Sequence, residues 1–374
     1  LARARGCTPP GLPPPRRGRR LPMTATGVLS GEWTLGWSVV VLLLAGAVTV
    51  WCSVRLAGVG DTLADRTGWG EAVFGAVLFG LVTSLSGIVM TTVAAVDGEP
   101  RLAYGNAVGG IAAQTLAVVA ADAFHRRANL EHAAASLQNL LFGVLLAGLL
   151  GLSLMATFSP DVTVAGVHPA SIVLVLVYIG GLHLVRRTDD PMWQAWEAVR
   201  TKETVEDVPD EEPDGAYARR RTGTLWAEFA AIAGVVIVAG WAVTQAAQVV
   251  LSSTGLRAGL VGAGIMGVIN ALPEAVTSIA AVRRGAVTLA FAAIIGGNCL
   301  DVLNLAIGDL AYPGGSLFHA AGRDELFLSA AALLMTTVVL AGLLVRQKTG
   351  WLRLGFDGWL LVVVYAGTMV TLAV

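Results

Sequence analysis

The stretch "NALPEAVTSIAAVRRGAVTLAFAAIIGGNCLDVLNLAIGD", residues 270–309, is apolar enough to cross a membrane, yet it carries Pro273, Glu274 and Asp301 within it. An ionisable side chain at bilayer depth costs roughly 2.5–3.5 kcal/mol on insertion scales, and such a residue usually marks a functional site. Asn270, Glu274, Thr277 and Ser278 recur at three- and four-residue spacings, so a helix would present them on one face. Gly297, Asn298, Asp301 and Asn304 do the same on the next apolar run. Pro273 removes a backbone donor and disturbs a helix one turn back, which a membrane tolerates only where other groups satisfy the freed carbonyl. An oxygen-rich patch of this kind suits hard cations such as sodium and calcium.

The rest of the chain supplies the membrane. Its 374 residues are 55% hydrophobic and 14% charged, with mean hydropathy +0.70, whereas soluble domains carry about 25% charged residues. Apolar runs of spanning length occur near 36–56, 69–95, 102–124, 136–158, 168–185, 224–250, 257–282, 286–310, 325–345 and 354–374. The expected fold is an all-α polytopic membrane protein of about ten helices. A formal net charge of −1 gives no reason to expect a nucleic-acid partner, and Cys7, Cys52 and Cys299 have no metal-ligand spacing. Membrane lipid and inorganic cations are the expected partners, while the sequence leaves the oligomeric state open. No resident cofactor and no enzymatic chemistry are expected.

Basic residues fix an expected orientation. Sixteen of the 25 Lys and Arg fall in the loops after spans 1, 3, 5, 7 and 9, among them Arg126, Arg127, Arg186, Arg283 and Arg346; only Arg101, Arg257 and Arg323 fall opposite. The positive-inside rule then places the first set in the cytoplasm and both termini outside, in the plasma membrane. The Arg-rich residues 1–22 would lie on the wrong side, so Met23 is the expected native start. The acidic, Pro-containing residues 188–223 read as a cytoplasmic linker, with an interfacial helix near Trp193 and Trp196. The resulting division is a tail over 1–35, a first five-helix unit over 36–187, the linker, and a second five-helix unit over 224–374.

The two units repeat. Residues 68–110 align without a gap on residues 255–297, an offset of 187, and Gly68, Gly75, Ala76, Gly80, Gly98, Gly109 and Gly110 each meet their own residue type. An odd number of spans per unit turns the second copy over, giving the inverted repeat of secondary transporters, whose substrate sites lie at the midplane. Gly109, Gly110, Gly296 and Gly297 lack side chains and are expected to allow close helix approach.

"NALPEAVTS" and "GGNCLD" in the second copy, with "VTSLSG" and "GNAVGGIAAQ" in the first, resemble the paired repeats of the calcium/cation antiporter superfamily, which includes the sodium/calcium exchangers. The resemblance implies antiport by alternating access, with calcium, sodium or protons bound transiently. It places Glu274 and Asp301 as metal ligands, with Thr83, Ser84 and Gln114 beside them; Asn270, Asn298, Thr277 and Ser278 complete the expected cation site. Pro273 and the four glycines are its hinge and packing residues. The chain departs from the family pattern at Ser86 and Gly87, where Pro and Glu are expected, so one carboxylate is missing. Exchange of calcium or sodium against a monovalent ion, sodium or a proton, is the implied function. Two other readings follow from the missing acid: a family member that no longer transports and serves as a scaffold or ion sensor, and an antiporter in which Gly87 opens room for another solute.

Overall fold

The computed structural model describes residues 33–67, 84–124, 129–164, 166–186, 220–284, 287–347 and 354–374. Twelve residues of apolar helix α2 (Leu85–Val96) follow the long α1 (Leu35–Thr67). Next come α3 (Pro100–Phe124), the short α4 (Leu130–Ala134), α5 (Leu137–Ala156) and α6 (Pro169–Arg186). The second half runs α7 (Thr222–Thr254), α8 (Ala258–Val261), a π-helical turn (Gly262–Met266), α9 (Gly267–Arg284), α10 (Val287–Ala311), α11 (Leu317–Ala320), α12 (Arg323–Val345) and α13 (Phe356–Ala373). Eight helices among the described residues are long and apolar enough to cross a membrane, and α2 and α6 are shorter apolar helices. The protein is an all-α integral membrane protein.

Helix boundaries keep the register read from the sequence. α1 and α7 begin at 35 and 222, α3 and α10 at 100 and 287, α4 and α11 at 130 and 317, and α6 and α13 at 169 and 356. Every pair is 187 residues apart, so the repeat extends without a gap from the first helix to the last. The N-terminal residues, Gly68 to Thr83 and the linker lie outside the described residues, and with them the repeat pairs at Gly68, Gly75, Ala76 and Gly80.

Burial follows the sequence pattern. α3 and α10 are apolar or small on all sides, the composition of a helix enclosed by others, and they are the most enclosed of the spans, 72% and 67% buried. They cross at the centre with α9, α2, α5 and α12 around them. The mates α1 and α7 pack on each other at the periphery and are joined by Arg55 and Glu228, whose closest approach is 2.6 Å. Their outer faces, with Leu43, Leu44, Trp51 and Val238 exposed, are apolar surface suited to lipid.

Glycines let the central helices touch backbone to backbone, though not all the expected ones. A Cβ on Gly109 would run into Ala263, one on Gly267 would lie 2.7 Å from the Gly109 carbonyl carbon, and one on Gly262 2.9 Å from Leu102 O. α3 therefore lies directly on the π-turn and α9. Gly296 and Gly297 are not in such contacts: the nearest atom to a Cβ at 296 would be 3.7 Å away on Phe142, and at 297 it would be Gln114 Oε1 at 4.0 Å. Spacing showed that these residues are small, but not which side of α10 a neighbour would press.

The carboxylates near the ends of the two central helices are structural. Asp309, expected near the end of a span, lies close to the C-terminus of α10 and is fully buried there. It accepts hydrogen bonds from His168 N at 2.7 Å, Ser171 Oγ at 2.7 Å and Leu317 N at 2.8 Å. It thus caps the starts of α6 and α11 together, using donors that a helix N-terminus leaves free. His168, expected among surface or interfacial histidines, is buried with it. The mate Asp122 repeats the arrangement by accepting from Leu130 N at 2.6 Å at the start of α4.

Candidate cation site

α9 and α10 bring the sequence-predicted acids together. Glu274 projects from the middle of α9 and is 5% exposed; Asp301 projects from α10 and is fully buried. Their charges are close enough to interact. Pro273 stands inside α9 without breaking it. The irregularity lies further upstream, in the π-turn at Gly262–Met266, where the Gly267 N–H reaches back to Gly262 O. Turns of this type insert an extra residue into a helix and are frequent at functional sites.

Asp301 is held by neutral donors from both halves. Gln114 Nε2 on α3 donates to Oδ2 at 2.6 Å, and Asn304 Nδ2 on its own helix donates to Oδ1 at 3.3 Å. Ser84, just before α2, lies beside the same carboxylate, although its Oγ forms no hydrogen bond of good geometry. Asn298 Nδ2 is tied to Thr115 Oγ1 at 3.0 Å, which leaves Asn298 Oδ1 free.

The region holds several free oxygens. Both Glu274 oxygens, Ser84 Oγ, Gln114 Oε1, Ser278 Oγ and Asn298 Oδ1 are buried without a hydrogen-bond partner. Native proteins satisfy the large majority of buried polar atoms, so each exception calls for an explanation. Hard cations are bound by carboxylate, carbonyl and hydroxyl oxygens, and these six atoms are of that type. Among the described residues no group of three or more His, Cys, Asp or Glu is arranged to hold a metal. Any cation would therefore rest on two carboxylates and neutral oxygens.

Other expected members differ. Thr277 is half-buried, and its hydroxyl donates to Pro273 O at 3.1 Å and Glu274 O at 3.0 Å on its own helix. It stabilises the backbone at the proline rather than offering a free oxygen. Thr83 lies outside the described residues. Asn270 is fully buried, but its carboxamide points at the first half: Ser86 Oγ donates to Asn270 Oδ1 at 3.2 Å, and Nδ2 has no partner. Gly87 opens no room for another solute, because a Cβ there would meet Asn270 Oδ1 at 2.5 Å. The enclosure of Gly87 by Asn270 and the steric roles of Gly262 and Gly267 are features that sequence reasoning missed. The glycines had a signal, since both repeat in the first half at Gly75 and Gly80.

Two inverted helical halves that meet at a buried pair of acids define a cation antiporter of the secondary-transporter class. Residues 37–185 and 224–374 match the family described as sodium/calcium exchanger protein, and the chain belongs to that family. It is 24% identical over 315 residues to the putative antiporter CaxA of Alkalimonas amylolytica, covering 84% of this chain and 91% of that protein. Among solved structures, the H+/Ca2+ exchanger CAX superposes with a TM-score of 0.65 at 14% identity, over 93% of this chain and 90% of that one. Native YfkE gives 0.62 at 14% identity, over 93% and 98%. The sodium–calcium exchanger NCX_Mj gives 0.51 at 17% identity, over 90% and 99%. At these identities the structural likeness establishes the fold.

Proposed function

We propose that this antiporter exchanges calcium or sodium for a monovalent ion by alternating access, with protons as the favoured counter-ion. The observation that carries this reading is Glu274, 5% exposed with both carboxylate oxygens unpartnered. An uncompensated charge in such surroundings costs several kcal/mol. Glu274 is therefore stable when it carries a proton or when it holds a cation, and competition between those two states is a coupling mechanism. Glu274 and Asp301 together balance one divalent or two monovalent cations. Ser84, Gln114, Ser278 and Asn298 would supply neutral oxygens. The names of relatives agree: CAX is called an H+/Ca2+ exchanger and CaxA a putative antiporter.

In this reading no covalent chemistry occurs and the ions are cargo, bound in passing, with no resident cofactor. Lipid and inorganic cations are the partners, and nucleic acid has no part. Loop charge supports a plasma-membrane orientation with both termini outside and the linker cytoplasmic. The test is uptake of radiolabelled calcium and sodium into liposomes containing the purified chain, against sodium, potassium or proton gradients, with Glu274→Gln as control. Gradient-driven uptake that the substitution abolishes is the expected result. Folded protein that moves neither ion under any gradient would favour a scaffold or ion sensor instead.

A further inference from the structure

The 187-residue register pairs each acid of the site with a first-half residue. Asp301 is the mate of Gln114, and Glu274 is the mate of Gly87. The first exchange is simple, a carboxamide where the other half has a carboxylate. The second is less direct. A glycine would ordinarily leave an opening, but around Gly87 that volume is filled by Asn270, which reaches across from α9.

Two close approaches and three hydrogen bonds define the fit. Cβ atoms built on Gly87 and Gly110 would each lie 2.7 Å from Asn270 Nδ2, so the amide sits between two first-half glycines. Ser86 Oγ holds Asn270 Oδ1 at 3.2 Å. From another side Asn106 Nδ2 donates to Gly87 O at 3.3 Å and to Thr91 Oγ1 at 2.9 Å, which fixes the backbone at Gly87. All three polar side chains, Ser86, Asn106 and Asn270, are fully buried. No side chain longer than hydrogen can start at Gly87 unless Asn270 moves.

We infer that Asn270 sets the ion load of this exchanger: its carboxamide occupies the space where a first-half acid would stand, so the transported charge is balanced by Glu274 and Asp301 alone. The inference rests on the antiport reading above. Neutral amides, Gln114 and Asn270, take the places that symmetry offers to two further carboxylates. Two negative charges are balanced by one divalent cation or by two monovalent ions, and exchange of one load for the other moves no net charge.

The test uses the full chain in liposomes and in detergent, with calcium, sodium and protons as the ions. Three variants are compared with the native protein: Gly87→Glu, Asn270→Thr, and both together, threonine being the residue at the mate position 83. Gly87→Glu alone is expected to melt at a lower temperature and to lose most flux, because the new side chain collides with Asn270. The double variant is expected to recover the melting temperature and flux. It should also take one further monovalent ion per cycle, seen as a shift in reversal potential and a new sensitivity to imposed membrane voltage. A Gly87→Glu protein that folds and transports as the native one does would overturn the inference. So would a double variant as damaged as the single one, or one that transports with the native stoichiometry. Native protein without flux sinks the antiport reading and the ion-load claim with it; recovery of the melting temperature then decides separately whether Asn270 fills the Gly87 space.

Discussion

Gln114 and Asp301 stand at the same position of the two halves, 187 residues apart, and are joined by a 2.6 Å hydrogen bond from Gln114 Nε2 to Asp301 Oδ2. The pseudo-two-fold relation between the halves thus passes through the candidate site and links an amide to the acid it replaces. A hydrogen bond to a charged group contributes about 1.5–3 kcal/mol, roughly ten- to a hundredfold in an equilibrium constant. Gln114→Leu removes that donor and one free acceptor oxygen at similar volume. The cation concentration that half-saturates flux should rise by about that factor, while the protein stays folded. Unchanged half-saturation would show that Gln114 serves packing alone.

Glu274 and Asp301 should respond differently to neutralisation when thermal stability is measured. Glu274→Gln takes away a carboxylate that has no partner, so melting should be unchanged or slightly higher even as transport is lost. Asp301→Asn places an NH2 group against the donors of Gln114 and Asn304. A mispaired buried donor costs about 1–3 kcal/mol, and this variant should melt lower. Equal destabilisation by the two would argue that Glu274 has a structural bond absent from this conformation.

Gly109 and Gly148 offer a paired test of the helix contact. An alanine Cβ at 109 would strike Ala263, whereas at 148 nothing lies within 4 Å. Overpacking costs typically 1–3 kcal/mol, so Gly109→Ala should lower the melting temperature and Gly148→Ala should not. Loss of stability in both would point to a general cost of alanine in these helices rather than to the contact between α3 and the π-turn.

The repeat was legible in the sequence because its glycines stay in register, and that register fixed the pairing of the helices. Both acids were legible for an energetic reason: charges are rare at such depth. What the sequence did not reveal depends on which way a side chain turns. Thr277 shares a helix face with Glu274 but bonds its own backbone, and Asn270 turns to the first half, where it fills the space at Gly87. Gly297 is as small as Gly110 yet touches no neighbouring helix closely: the nearest atom to a Cβ there would be Gln114 Oε1 on α3, 4.0 Å away. The Gln114–Asp301 pairing could have been found by extending the ungapped alignment four residues past Gly110.

Asp309 should matter more to folding than to ion selectivity. It accepts three hydrogen bonds and caps two helices, and a single cap is worth about 0.5–2 kcal/mol. Asp309→Ala should lower the melting temperature well beyond what Asp122→Ala does, given that among the described residues one backbone donor, Leu130 N, is bonded to Asp122. Cation half-saturation of whatever folded protein remains should be unchanged. A large shift in it would place Asp309 in the ion path.

Glu131 gives a pH dependence whose sign can be worked out. It lies on α4, outside the spanning segments, and is 3% exposed. Burial above all, then the negative charges of Asp357 and Asp122, pushes its carboxyl up to about 9 in the folded protein, against about 4.3 for an unperturbed glutamate. Between those values the folded state binds the proton that the unfolded state has released, so stability falls as pH rises through the window. Glu131→Gln cannot release a proton. Melting of native protein should fall between about pH 5 and 9 more steeply than that of the variant, and the difference should widen with pH. Parallel curves for the two proteins would show that Glu131 is ionised in the folded state throughout, with compensation supplied from elsewhere.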